Sequence, residues 1–224
     1  LVGSEMCIRD RDLGSTTVCM RLVNLATGET VCQDSAYNRQ IAFGEDILTR
    51  VFYSKDNAAA LEEIRQATLA TFQEVLEGLE EKSGYPVASC GAMTVAGNTT
   101  MMHFLLGLDA FGVFAAPYAP RAMRFDPYPA RDLGLLLDGY VYCYPCRANY
   151  LGGDIISGLV ATNLTRESEI CVFLDIGTNG ELVVGNREFL MAGAGAAGPA
   201  LEGGVVKTGM PVSYTHLRAH ETRS

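Results

Sequence analysis

The chain has 224 residues, 48% of them hydrophobic and 19% charged, which is enough apolar material for a sizeable core and excludes a disordered chain. Its formal net charge of −9 argues against nucleic acid or an anionic membrane as the main partner, while leaving a nucleotide open, because a local site rather than net charge holds a small ligand. The N-terminus shows no secretory signal and no apolar stretch approaches the roughly 20 residues of a membrane helix, so the expected location is the cytoplasm.

The two ends read differently from what lies between them. Residues 1–11, LVGSEMCIRDR, and 211–224, PVSYTHLRAHETRS, carry no apolar period continuous with their neighbours and resemble translated sequencing-adapter read-through. Both are set aside from the fold, which leaves His103 as the single histidine of an acidic body. Besides Cys7 there are six cysteines, most in apolar or strand-like surroundings, as suits reduced thiols.

In chain order, Asp12 to Asn24 (DLGSTTVCMRLVN) reads as a strand with a polar start, Ala26 to Glu29 as a turn, and Thr30 to Ala36 as a second strand closing a hairpin. Gly44 to Tyr53 is a short helix. The clearest helix runs from about Asn57 to Lys82, with Leu61, Ile64, Thr68, Phe72, Val75 and Leu79 on one face, a cap at Asp56 or Asn57 and a stop at Gly84. Val87 to Val95 is an apolar strand leading through Gly97-Asn98-Thr99-Thr100 into a short helix. Four prolines keep 111–134 irregular. Gly139 to Tyr144 is a strand, Ile155 to Leu164 a helix, and Ile170 to Ile176 a buried-type strand. Glu181 to Val184 and Glu188 to Met191 follow, before a Gly/Ala-rich run. Alternating strands and helices predict an α/β chain. DLGST and DIGTNG, about 160 residues apart, both open strand–turn–strand units and mark an internal duplication.

Three loops carry candidate chemistry. In Asp12-Leu13-Gly14-Ser15-Thr16-Thr17, Gly14 lets a phosphate approach the backbone and the three hydroxyls add donors to a nest of N–H groups, while Asp12 suits Mg²⁺ or its waters. An ordinary polar turn explains one such loop equally well. The second copy, Asp175-Ile176-Gly177-Thr178-Asn179-Gly180-Glu181, repeats the acid, the glycine and the hydroxyl, so two loops facing one cleft are able to clamp a polyphosphate; Asn179-Gly180 is also a plain hairpin turn. The third, Gly97-Asn98-Thr99 at a strand-to-helix junction, is an anion site, an N-cap, or both. Asp154 opens the helix after Gly152-Gly153 and reads equally as a dipole cap and as a cleft acid that orients water. His103 reads as a core histidine. Cys143-Tyr-Pro-Cys146 lacks a second pair or nearby histidine for zinc and reads as two ordinary thiols near a strand end.

DLGSTT, GEDILTR, VAGNTTMMHFLLGL, YLGGDIISGLVAT, FLDIGTNGELVVG and AGAAGPALEGG together resemble the C-terminal ATP-binding domain of reductive activators of corrinoid proteins, over nearly all of 12–210. That resemblance implies a duplicated, ribonuclease-H-like or actin-like ATPase fold of the actin/sugar-kinase/heat-shock-ATPase (ASKHA) type. Its first half spans 12–150, and its second begins at 151–210 and is truncated. It also implies ATP and Mg²⁺ as ligands, with Asp12 and Asp175 serving the metal, Asp175 and Asp154 the attacking water, and Gly203-Gly204 approaching the adenosine side. A [2Fe–2S] cluster is expected only in an N-terminal domain outside this chain. The implied task is ATP-driven reduction of an inactive Co(II) corrinoid to Co(I) on a corrinoid protein of a methyltransferase system, with a homodimer compatible. Two competing expectations are a small-molecule kinase of the same superfold and a non-enzymatic, nucleotide-responsive assembly protein.

Overall fold

In the computed structural model, residues 6–177 and 179–196 are described, with side chains for 13–177 and 180–195. Two sheets organise them. The first has six strands: β1 (Met6–Leu13), β2 (Thr17–Asn24), β3 (Thr30–Tyr37), β4 (Ala92–Val95), β5 (Tyr128–Pro129) and β6 (Tyr140–Cys143), in the order β3-β2-β1-β4-β6-β5. β1, β2 and β3 form an antiparallel meander, and β4 and β6 run parallel to β1. The second sheet is the antiparallel meander β7 (Cys171–Ile176), β8 (Asn179–Gly185) and β9 (Leu190–Ala196). The mixed α/β class expected from the sequence is what forms, and each sheet contains one of the two aspartate–glycine turns.

Three differences from the sequence reading have physical causes. The stretch set aside at the N-terminus supplies, from Met6 onward, the central strand of the first sheet, with Cys7, Ile8 and Arg9 opposite Ala92, Met93 and Thr94. Ladder bonds come from backbone groups, so a strand forms there without the apolar period used to find one. Asp12 to Asn24 is two strands rather than one: β1 ends at Leu13 and β2 starts at Thr17, with the turn Gly14-Ser15-Thr16 between them. The strand expected over Val87 to Val95 is shortened to Ala92–Val95 behind a 3₁₀ turn at Val87–Ser89.

The described residues also form five α-helices: α1 (Ile47–Ser54), α2 (Ala58–Ser83), α3 (Thr99–Leu105), α4 (Phe111–Phe114) and α5 (Gly153–Ala161). α2 follows its sequence signals closely. The Asn57 side chain accepts from the Ala60 N–H at its start, and Gly84 ends it in the left-handed region at φ 68°. Its buried stripe of Ile64, Thr68, Phe72, Val75 and Leu79 packs with Val18, Met20 and Leu22 of β2 in one large core that also takes in Met93, Val95, Phe104 and Val141. A second, small cluster holds Ile155, Leu159, Leu164 and Val183, with Leu151, Cys171 and Phe173 against it. α5 thus lies on the second sheet, and it can do so because residue 158 is glycine: a Cβ there would stand 2.4 Å from the Phe173 ring.

Candidate functional site

The first turn is held from beneath. The Leu13 N–H donates to the Ala96 carbonyl at 2.7 Å and the Gly14 N–H to the Thr17 carbonyl at 3.1 Å. Buried Asn38 donates from Nδ2 to the Gly14 carbonyl and from its backbone N–H to the Thr16 carbonyl, both at 2.8 Å. The turn is therefore rigid, with the half-buried hydroxyls of Ser15, Thr16 and Thr17 left without a hydrogen bond among the described residues. Asp12 lies in β1 opposite Cys19; its side chain lies outside the described residues.

The third loop docks onto the first. Leu13 and Gly97 form a parallel bridge, and a Cβ on Gly97 would come within 2.8 Å of the Leu13 carbonyl oxygen. The start of α5 docks in turn onto this loop: the Gly153 N–H donates to the Gly97 carbonyl at 2.7 Å, and a Cβ on Gly152 would lie 2.4 Å from both that oxygen and the Asn98 Cα. Glycines at 97 and 152 are thus required by backbone contact. Asn98 caps α3 by accepting from the Met101 N–H at 3.0 Å, and the Thr99 hydroxyl donates to the Ala148 carbonyl at 2.6 Å. Both side chains are committed to holding the junction, so what this loop can offer an anion is backbone.

Asp154, the first acid of α5, lies near enough to Asp175 to feel its charge. Burial raises its carboxyl to about 6, and Asp175 close by adds to the rise. Asp175, near the end of β7, is itself raised by burial. Directly across the ladder from Asp175 stands Glu181 of β8, only 8% exposed, raised to about 7 by burial first and by Asp154 and Asp175 next. None of the three carboxylates forms an ion pair among the described residues. Asp154, which the sequence left open between a helix cap and a cleft acid, thus lies near Asp175, and Glu181 joins them. Sequence reasoning passed over Glu181 as the tail of a turn motif. The available signal was its strand parity with Val183, which puts an acid on the inward face of β8.

Gly177 follows β7, and Gly180 pairs with Ile176 in the ladder. Thr178, the Asn179 side chain, Gly203 and Gly204 lie outside the described residues. His103 is a core histidine, as expected. It is fully buried, its Nδ1 lies 2.7 Å from the Thr99 carbonyl, and its Nε2 accepts from the Ala122 N–H at 3.4 Å. That arrangement assigns the proton to Nδ1, and burial lowers the ring's pKa. Cys143 and Cys146 are buried thiols in the wall of a cavity beyond the end of β6.

Among the described residues no three His, Cys, Asp or Glu side chains converge tightly enough to hold a metal by themselves. The donor set nevertheless fits Mg²⁺ delivered with a polyphosphate. Such an ion takes one or two carboxylates and draws its other oxygens from phosphate and water, and one buried and two half-buried acids with no cation paired to them among the described residues lack the charge it brings. No helix among the described residues is long and apolar enough to cross a membrane.

Comparison with known proteins identifies the family. Residues 10–167 match the model of the RACo middle region, and residues 169–218 match the model of the C-terminal domain of RACo, the ASKHA domain. The corrinoid activation enzyme RamQ of Eubacterium limosum is 30% identical over 201 residues, covering 89% of this chain and 34% of its own. A solved structure of a reductive activator for a corrinoid, iron–sulfur protein superposes with a TM-score of 0.88 at 39% identity, covering 94% of this chain and 34% of that one. The chain spans about a third of the length of these relatives. The sequence reading puts nearly all of 12–210 in the C-terminal domain, whereas the two family models meet between residues 167 and 169.

Proposed function

The chain belongs to the family of reductive activators of corrinoid proteins, and on that premise we propose that it carries the nucleotide site of an ATP-driven activator that returns cobalt on a partner corrinoid protein from Co(II) to Co(I). The observation that supports this most is the meeting of Asp154, Asp175 and Glu181 beside the junction at which the Gly14 and Gly97 loops dock. Backbone N–H groups and hydroxyls on one side and acids on the other are what a magnesium-bound polyphosphate requires.

In this reading the turn at Gly14 to Thr17 holds phosphate oxygens from one wall, and the turn at Gly177 to Gly180 holds them from the other. Asp12 and Asp175 are the carboxylates that hold Mg²⁺ or its waters. The ion, when bound, neutralises phosphate charge and the acids facing it. Asp175 and Asp154 orient the attacking water, and Asp154, with its raised pKa, is suited to take its proton near neutral pH. Gly203 and Gly204 border the adenosine. The two half-domains are 12–150 and 151 onward, a division supported by the second apolar cluster, whose partners begin at Leu151. The electron comes from a [2Fe–2S] domain elsewhere in the protein, and the physical need for ATP is that reduction of Co(II) is uphill for an ordinary ferredoxin.

The test is made on the complete protein carrying this segment. MgATP binding by calorimetry, phosphate release, and the absorbance change of a reduced corrinoid partner should all be present. A protein that neither binds nor hydrolyses MgATP defeats the proposal. ATP consumption that depends on an added sugar or acid, rather than on the corrinoid partner, replaces it with the kinase reading.

A further inference from the structure

Beyond the carboxyl end of β6 lies a cavity of 490 Å³, within the roughly 300–1,000 Å³ of small-ligand sites. Met123, Phe125, Pro145, Cys143, Cys146 and Ile156 make most of its wall, and among the described residues its charged lining is Arg124 and Arg147. It is a built feature. The Cys146 N–H donates to the Met123 carbonyl at 2.8 Å, tying the two lining segments together, and Phe125 packs edge-on against the buried His103 ring, 6.4 Å between centroids.

Two points make the arginines informative. The chain has a net charge of −9, yet the charge on this wall is wholly positive. Four other arginines each have an acid: Arg39 has Glu74, Arg65 has Glu62, Arg121 has Asp109 and Arg131 has Asp138. The guanidiniums of Arg124 and Arg147 make no hydrogen bond or ion pair among the described residues. The cavity also stands where α/β sheets commonly hold ligands, outside the carboxyl end of a parallel strand, here β6.

We propose that this cavity is a second ligand site, which takes a small organic anion: an apolar, flat body against Met123, Phe125 and Ile156, with a carboxylate or phosphate ester engaging Arg124 and Arg147. A guanidinium matches either head group with paired N–H donors, and the apolar wall excludes a bare inorganic ion as the natural occupant. The site adjoins the nucleotide site through Thr99 and Gly153, which lie beside the Cys146 thiol, but it does not depend on the ATP reading.

Calorimetry on the complete protein carrying this segment tests it with three probes of one shape: benzoate, phenyl phosphate and neutral benzyl alcohol. Each is titrated with and without a saturating magnesium complex of a non-hydrolysable ATP analogue. At least one anion should bind, with benzyl alcohol at least about tenfold weaker, and R124Q/R147Q should lose about tenfold or more in affinity. Benzoate alone assigns a carboxylate ligand; phenyl phosphate, alone or more tightly, assigns a phosphate ester. The doubly substituted protein should keep its thermal midpoint, since both side chains are exposed. No anion binding, equal binding of benzyl alcohol, affinity within twofold in R124Q/R147Q, or displacement of the anion by the nucleotide analogue each overturns the proposal. Failure of the analogue to bind defeats the ATP reading and leaves the anion result legible.

Discussion

The two sheets repeat one motif but are finished to different degrees. In the first, β1 and β2 are joined by a turn that Asn38 and Ala96 fasten from below, and α2 covers the strands with a continuous core. In the second, one face of β7–β8 packs on α5 through Phe173 and Val183, while Val172, Leu174 and Ile176 stand 64%, 55% and 45% exposed on the other. Opposed pairs Val172–Val184 and Leu174–Leu182 continue that bare apolar face across the ladder. A strand buried on both faces reads as a continuous apolar run, and VFL in β7 is such a run. The first sheet is stable scaffolding, whereas the second holds its acids at the cost of charge burial, and no other described residues cover its far side.

The largest effects should fall on the first sheet. Phe72→Ala removes a fully buried ring from the main core and should cost about 3–5 kcal/mol in chemical denaturation. A loss under about 1 kcal/mol would show that this core is not what holds the chain. On the second sheet, Asp175→Asn in the complete protein should cut ATP hydrolysis on the order of 10²-fold or more with little loss of fold, as read by phosphate release beside circular dichroism. The contact that joins the regions is tested by Gly152→Val. Its side chain would meet the Gly97 carbonyl and the Asn98 backbone, costing about 1–3 kcal/mol and weakening nucleotide binding.

A pH series sharpens the contrast. The Asp154 and Glu181 carboxyls are raised in the fold, to about 6 and about 7, above their ordinary values. The folded chain therefore binds more protons than the unfolded one between about pH 4 and 7. Stability from these groups is full at the acid end of that window and is lost as pH rises through it. Thermal midpoints should fall from pH 5 to 7.5, and Glu181→Gln should flatten the slope and raise the midpoint at pH 7.5. A slope unchanged in Glu181→Gln would show that the glutamate is not buried beside the two aspartates. The smallest change belongs to the bare face. Leu174→Lys should leave stability within about 0.5 kcal/mol and reduce aggregation seen by light scattering.

Legibility followed the range of the interaction. α2 was readable from Asn57 to Gly84 because a cap, a 3.6-residue stripe and a left-handed glycine are all written within a turn or two of where they act. Asp154 was not separable between cap and cleft acid from sequence, since what distinguishes them is Asp175, 21 positions on, and the burial they share. The thiol pair at 143 and 146 gave no sign of a cavity, because its other wall comes from Met123 to Phe125 and Ile156.

The sequence by itself determined the local elements, the two glycine-led turns and, through their combination, the family. Each depends on residue order over a few positions, where propensity and backbone freedom act. Only the tertiary structure decided that β1 starts at Met6, that Glu181 joins Asp154 and Asp175, and that Arg124 and Arg147 share a cavity. Burial and charge coupling are properties of what packs against a residue, and here those neighbours come from far along the chain.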